Sequence, residues 1–420
     1  MKREVVITGL GVVSPIGAGR DAFWAALDAG QSGIREVPGL AEAREVPFRL
    51  AGMYSDFDPK QYVQPRKTIK VMCREIQAAY AAASIAVQDA GIVKEQLDPQ
   101  RLGVVLGSEL YYGDMDELLD AYRNSMHDGV FRAEEWNPNA MKNLFPLWML
   151  KYLPNMPACH IGIVNDARGP NNTIVQAGTS SLLAIQEAAM VIERGQADVM
   201  ISGGSGARVT YSGAPFRGWG DLSHWQGPPA EALKPFDRRR DGGLVGEGAG
   251  IVILESREHA ERRGAKIMAR ILGWSSRNEP GTRQHTITGS AIRSSISAAL
   301  QSAKISTKEV GHVNANAGGW VHADRLEAQA IHAELGDVPV TAPKSYFGDL
   351  GASSGAVELL ASILALEHGR IPRTLNYQEP DPDCPVNVVR DASQPLENRT
   401  ALVLSQNGSG GAAALVIGGA

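Results

Sequence analysis

Few residues of this chain can do covalent or acid–base chemistry. Among 420 residues there are three cysteines, Cys73, Cys159 and Cys384, and nine histidines. An odd number of cysteines at long, unrelated spacings argues against a disulfide framework and against a cysteine zinc cluster. No metal or cofactor is called for. A thiolate nucleophile works best at a helix N-terminus, where backbone N–H groups and the dipole lower its pKa. The run Gln176-Ala177-Gly178-Thr179-Ser180-Ser181 opens such a helical pattern, but its hydroxyls have no neighbouring histidine to activate them and suit capping instead. Two polar runs follow. Asn314-Ala315-Asn316-Ala317-Gly318 precedes His322, Asp324 and Glu327, and Lys344-Ser345-Tyr346-Phe347-Gly348 leads to Asp349. Asn316 can donate a hydrogen bond yet cannot become cationic or shuttle a proton, whereas Asp349 could act as a general base beside it. At helical spacing, Asp324 and Glu327 share a face and could pair with Lys344. His322 is either an exposed, capping residue or a spare imidazole. Cys159, in NMPACHIGI, reads as a small buried residue on a strand.

The elements that must position these groups alternate. Short β-branched runs at 4–8, 103–107, 198–202, 250–254 and 401–405 are separated by Ala-rich helical patterns at about 73–91, 179–195, 288–303 and 324–336. That alternation predicts an α/β fold with buried strands. A strand–Gly–small-residue–helix unit occurs near 170–200 and again near 340–367, a hint of duplication. The segment from about 110 to 160, with Trp136, Trp148, several methionines and Asn-Pro and Leu-Pro breaks, reads as an irregular insertion or cap. The length allows two or three units or one large intertwined domain. A net charge of −5 excludes a generally basic nucleic-acid-binding surface. No apolar run has the length of a membrane span or the form of a signal peptide, so a soluble, cytoplasmic protein is expected.

Five segments carry more information together than any does alone. They are REVVITGLGVVSPIG (3–17), ARGPNNTIVQAGTSSLLAIQEAAMVIERGQADVMISGG (167–204), KPFDRRRDGGLVGEGAGIVILE (234–255), VNANAGGWVHADRLEAQAI (313–331) and APKSYFGDLGASSGAVE (342–358), followed by SQNGSGGAA (405–413). In order and spacing the chain resembles the β-ketoacyl synthases, condensing enzymes of the thiolase-like fold. The resemblance runs over essentially the whole length. It implies a layered α-β-α-β-α fold from two similar halves, 1–255 with the cap and 256–420, that dimerises through a large interface. It also implies substrates carried on the phosphopantetheine arm of an acyl carrier protein. In the block 234–255, Phe236, Asp237 and Glu247 read as residues that hold a turn and a strand.

That family performs decarboxylative Claisen condensation with a cysteine and two histidines. Its nucleophile lies eight residues after the Gly-Pro pair, which here is Gly178. A two-residue slip would place Gln176 there instead. The two histidine positions match Asn316 and Asp349. Glycine cannot form an acyl-enzyme, and a carboxylate opposes a developing oxyanion. The family's lysine and acids match Lys344, Asp324 and Glu327, which there orient the histidines. The two phenylalanines of its C-terminal loop become Asn407 and Ser409, which predicts an altered or always-open pocket entrance. The resemblance therefore implies a non-catalytic subunit like the chain length factors, which heterodimerise with an active paralogue in fatty acid or polyketide biosynthesis and help shape its acyl tunnel. Two alternatives stay open: a decarboxylase of carrier-bound malonyl groups or other repurposed enzyme using Asn316 and Asp349, and a homodimeric acyl or acyl-carrier binder. For the latter, Arg66, Lys67, Lys70 and Arg74 could dock an acidic carrier or form a plain solvated helix face.

Overall fold

The computed structural model describes residues 3–38, 49–111, 113–207, 209, 221–280 and 287–420. Its β-branched runs form one large sheet. Across it lie the strands Asn387–Val388, Pro339–Thr341, His312–Asn314, Thr400–Gln406, Gly411–Gly419, Ala269–Asn278, Val5–Ser14, Glu247–Ser256, Val199–Ala207, Leu102–Ser108 and Asn171–Val175. The middle of the sheet is a seam, where Val6 and Ile7 pair antiparallel with Arg270 and Ala269.

Outward from that seam both halves repeat one pattern. Val5–Ser14 pairs antiparallel with Glu247–Ser256, and that strand antiparallel with Val199–Ala207; then come Leu102–Ser108 and Asn171–Val175, both parallel. On the other side Ala269–Asn278 pairs antiparallel with Gly411–Gly419, and that strand antiparallel with Thr400–Gln406; then come His312–Asn314 and Pro339–Thr341, both parallel. The unit seen twice in the sequence occupies the same place in each half, an outer parallel strand followed by a helix, Ser180–Glu193 or Ser354–His368, that returns to the core.

These two helices are apolar nearly all round, the pattern of helices enclosed on every side. Leu182, Ile185, Leu359 and Ile363 share one core with residues of the strands on both sides. Helices Arg74–Asp89 and Ser290–Ala303 cover the outer faces, where close approach requires glycine. A Cβ at Gly11 would stand 1.9 Å from the Ala82 carbonyl oxygen, and one at Gly273 would stand 2.3 Å from the Ala303 nitrogen. The cap is more regular than its proline breaks suggest. It holds helices Met115–Asn124 and Ala133–Asn143 around a small hairpin, with Pro138 inside the second helix. Tyr122, Phe131 and Trp136 cluster between them, although Tyr122 and Phe131 remain exposed. Cys159 lies not on a strand but on helix Met156–Asn165, which Pro157 starts and which buries Ala158 and Ile161. Among the described residues no helix is long and apolar enough to cross a membrane.

Candidate active site

The strand Asn171–Val175 ends in a tight turn, Ala177–Thr179, that runs straight into helix Ser180–Glu193. Ala177 carries the turn's positive φ, 49°. The hydroxyls of this run tie the turn down. Thr179 Oγ1 donates to the Gln176 carbonyl at 2.8 Å, and Ser180 Oγ donates to the Ala177 carbonyl at 2.7 Å while accepting from Gln176 N–H. Ser181 Oγ accepts from Ala356 N–H at 3.0 Å and joins the two central helices. Gly178 sits half-buried at the apex, while Gln176 is exposed.

A buried polar wall stands on the other half. Strand His312–Asn314 delivers Asn316, and the short helix Lys344–Phe347 delivers Lys344. Lys344 Nζ donates to Asn316 Oδ1 at 2.9 Å and is ion-paired with Glu358 Oε1, both ends of that pair being almost wholly buried. Glu358 thus takes the place expected for Asp324 or Glu327. Those acids bind backbone instead. Glu327 accepts from Asn316 N–H at 2.8 Å; Asp324 accepts from Phe236, Gly318 and Gly319 N–H at 3.0–3.2 Å. The reason is geometric: both acids lie in the early turns of helix Val321–Leu335, beneath the loop that leads into it, so they meet its N–H groups first. Burial pushes the Glu327 carboxyl up to about 8 and that of Asp324 up to about 6, and it raises Glu358 as well despite the lysine.

Asp349 ends the same loop. Its Oδ1 accepts from Ser354 Oγ at 2.9 Å and from Gly351 N–H at 3.2 Å, holding the turn before the second central helix. His322 is exposed on helix Val321–Leu335 and accepts from Arg325. Asn407 is tied to the elbow rather than left as an open gate, since its Nδ2 donates to the Gln176 carbonyl at 3.2 Å. Ser409 is exposed beside it and donates its N–H to Asn407 Oδ1 at 3.0 Å. In the block 234–255, Asp237 accepts from the Gln378 and Glu379 N–H groups, and Glu247 from Tyr54 N–H and Arg74. Arg74 stays exposed, but its guanidinium is committed: it pairs with buried Glu247 and lies over the Tyr54 ring. Arg66, Lys67 and Lys70 are exposed on the turn Arg66–Val71.

Sequence reasoning missed Glu358 and Trp320. A single acid early in the apolar helical run SGAVELLASILAL was the available signal for Glu358, because a lone charge there needs a buried partner. Trp320 stands between two glycines. A Cβ at Gly243 or at Gly318 would fall 2.3–2.4 Å from its indole, so both loops need glycine to admit the ring.

A layered fold of two matching halves, with a tied elbow in one half and a buried lysine-bearing wall in the other, defines the ketosynthase class within the thiolase-like proteins. The models for the N-terminal and C-terminal domains of β-ketoacyl synthase match residues 2–260 and 268–378, and the chain belongs to this family. It is 31% identical to the 3-oxoacyl-[acyl-carrier-protein] synthase 2 of Vibrio cholerae, over 98% of this chain and 97% of that protein. It is 33% identical to the ketoacyl synthase alpha subunit of the tetracenomycin polyketide synthase of Streptomyces glaucescens, over 96% and 94%. Among solved structures, a β-ketoacyl synthase from Burkholderia phymatum superposes with a TM-score of 0.89 at 28% identity, and the ishigamide ketosynthase/chain length factor with 0.85 at 29%; each match covers 100% of both chains. A type II polyketide acyl-carrier protein in complex with its ketosynthase, bound to the hexaketide, matches with 0.86 at 28%, again over 100% of both chains.

Proposed function

We propose that this protein is a non-catalytic ketosynthase-like subunit of the chain-length-factor type, acting beside an active condensing partner on carrier-bound acyl chains in fatty acid or polyketide biosynthesis. One observation carries the reading. The residue at the elbow is Gly178, and the neighbouring Thr179, Ser180 and Ser181 are all spent on structural hydrogen bonds. Asn316 and Asp349 occupy the histidine positions, and the Asn316 side chain is committed to Lys344.

The surface supports a partner. Asn171–Val175 is the last strand of its half, so one edge of it is unpaired by the main sheet. Exposed edges of this kind template pairing with another chain. Among the described residues, every exposed large apolar side chain except Val93 and Val321 falls between 110 and 175, including Met141 at 80% and Ile163 at 77% exposure. Apolar exposure so concentrated marks an interaction surface. The exposed cations Arg66, Lys67 and Lys70 suit an acidic carrier protein.

Co-expression tests the reading. With a paralogue that keeps the Cys-His-His set, the expected result is a stable heterodimer whose products change in length when this chain is exchanged for another. Recovery of only a monomer or self-dimer, with no effect on the paralogue's products, sinks the proposal. Turnover of malonyl-carrier by this chain alone, lost in Asp349→Ala, would favour the decarboxylase instead.

A further inference from the structure

We infer that Ser405-Gln406-Asn407 is a strap fastened across the elbow, and that this strap, beyond the loss of a thiol, reserves position 178 for glycine. The inference rests on geometry and does not depend on the heterodimer reading. Ser405 Oγ donates to the Gly178 carbonyl at 2.6 Å. Asn407 Nδ2 donates to the Gln176 carbonyl at 3.2 Å and lies 3.4 Å from Thr179 Oγ1. Between these fastenings, the carbonyl oxygen of Gln406 lies 2.6 Å from where a Cβ on residue 178 would stand. Gly178 is not among the residues of positive φ. Its backbone would accept any side chain, and only space excludes one.

The obstacle is backbone, so no rotamer change removes it. It is also anchored from behind. Asn407 Oδ1 accepts from Ser409 and Gly411 N–H at 3.0 and 2.9 Å, which fixes the turn, and Gly410 offers its carbonyl to Glu279 N–H at 3.0 Å. The Glu279 carboxylate in turn accepts from the N–H groups of Thr288 and Gly289 at 2.8 and 2.9 Å, just before helix Ser290–Ala303. An asparagine can serve both ends of this chain because its amide donates and accepts, which a phenylalanine cannot do. Asn407 is thus a positioning residue: it holds a carbonyl oxygen in the ground a nucleophile's side chain would need.

The test is a double-mutant cycle in the full chain, read by thermal unfolding. Exchanging glycine for alanine at a helix start with ordinary φ normally leaves a protein unchanged or more stable. Here Gly178→Ala is expected to lower Tm by about 2–3 °C, because the strand end must shift. Adding Asn407→Ala should recover part of that loss. Should Gly178→Ala fail to accumulate, recovery of folded double mutant is the reading that supports the strap, and its failure to recover overturns it. A second measurement uses Gly178→Cys, following iodoacetamide alkylation of the elbow peptide by mass spectrometry. Alkylation is expected to be at least tenfold faster once Asn407→Ala is added. Equal alkylation rates, a Gly178→Ala protein within 1 °C of wild type, or strictly additive losses would each overturn the strap. None of these readings depends on a partner, so failure to co-purify one leaves them standing.

Discussion

The two halves use the same strand–turn–helix unit to opposite ends. In the N-terminal half, the outer strand Asn171–Val175 is the edge of the sheet, and Gln176 and Ala177 of its turn are exposed. In the C-terminal half the equivalent strand, Pro339–Thr341, is covered by one more parallel strand, Asn387–Val388, and the residues after it are buried from Lys344 to Gly348. One half closes its edge and spends the shelter on a buried lysine, an asparagine and three acids. The other leaves its edge bare and its elbow tied by hydroxyl–backbone bonds. A shared topology therefore fixes where a site sits without fixing what chemistry it holds. The wall buries its polar groups, and the elbow leaves Gln176 and Ala177 exposed.

The sharpest way to break this contrast is at the wall. Lys344→Met removes the only cation paired with Glu358 among the described residues and takes the donor from Asn316 Oδ1. Stranding a buried carboxylate in this way costs about 3–5 kcal/mol, whereas neutralising both partners is far milder. Urea unfolding should show that loss for Lys344→Met and recover much of it in Lys344→Met/Glu358→Gln. Equal losses in both variants would mean the pair does not bear the wall. The elbow side should behave in the opposite way. Val175, 41% exposed on the edge strand, should tolerate Asp with a stability change within about 0.5 kcal/mol. The same Val175→Asp change should weaken binding to a partner subunit about tenfold or more, since it puts a charge where an interface core would form. Sedimentation or titration of the co-expressed pair checks this.

How much of this was legible in the sequence follows from the same division. The α/β alternation, the central helices and the repeated strand–turn–helix unit rest on periodicity and glycine spacing, which are local properties of the chain, and helix Ser180–Glu193 stands where the pattern at 179–195 places it. The positions Gly178, Asn316 and Asp349 are expectations that come from counting within motifs. What counting could not supply was who pairs with whom. Asp324 and Glu327 have helical spacing suited to a lysine partner, yet the loop Asn316–Gly319 reaches them first. Glu358 lies fourteen residues beyond Lys344, and only the fold of the loop between them brings the charges together. Arg74 reads as a free member of a basic face, yet Glu247, distant in sequence, pairs with it while it stays exposed. Cys159 fails for a local reason: a short apolar run does not separate strand from helix, and Pro157 at a helix start was the overlooked signal.

A second effect distinguishes the wall by its protons. The Glu327 carboxyl is held at about 8 by burial, well above its value in an unfolded chain, near 4.5. A carboxyl raised on folding contributes stability that is complete below its unfolded pKa and is lost as pH rises through its folded pKa. Wild-type protein should therefore lose on the order of 4 kcal/mol between pH 5 and 8.5 from this residue alone. Glu327→Gln keeps an oxygen for Asn316 N–H and removes the titration, so its stability should be flatter over that window and higher than wild type at pH 8.5. Asp324, held at about 6, leaves a residual slope at lower pH in both proteins. Parallel slopes would show that Glu327 is ionised in the folded state.

The smallest expected effect lies on the exposed turn Arg66–Val71, and it separates surface charge from the built wall. Lys67 and Lys70 are solvent-exposed there. Reversing them, as Lys67→Glu/Lys70→Glu, should leave folding stability within about 0.5 kcal/mol, since isolated surface charges contribute little. If an acidic carrier docks on this turn, the same pair of changes should weaken its binding several-fold, mostly through slower association. The wild-type advantage should then shrink as salt rises, because a Debye length of about 8 Å at physiological ionic strength falls to roughly 3 Å at 1 M. Titration of a carrier protein at two salt concentrations reads both quantities. A loss of affinity that persists at high salt would assign the turn a shape-specific contact, and no loss at all would move carrier docking to another face. Either way the comparison sharpens: charge on the outside of this molecule can be reversed cheaply, and charge inside its wall cannot.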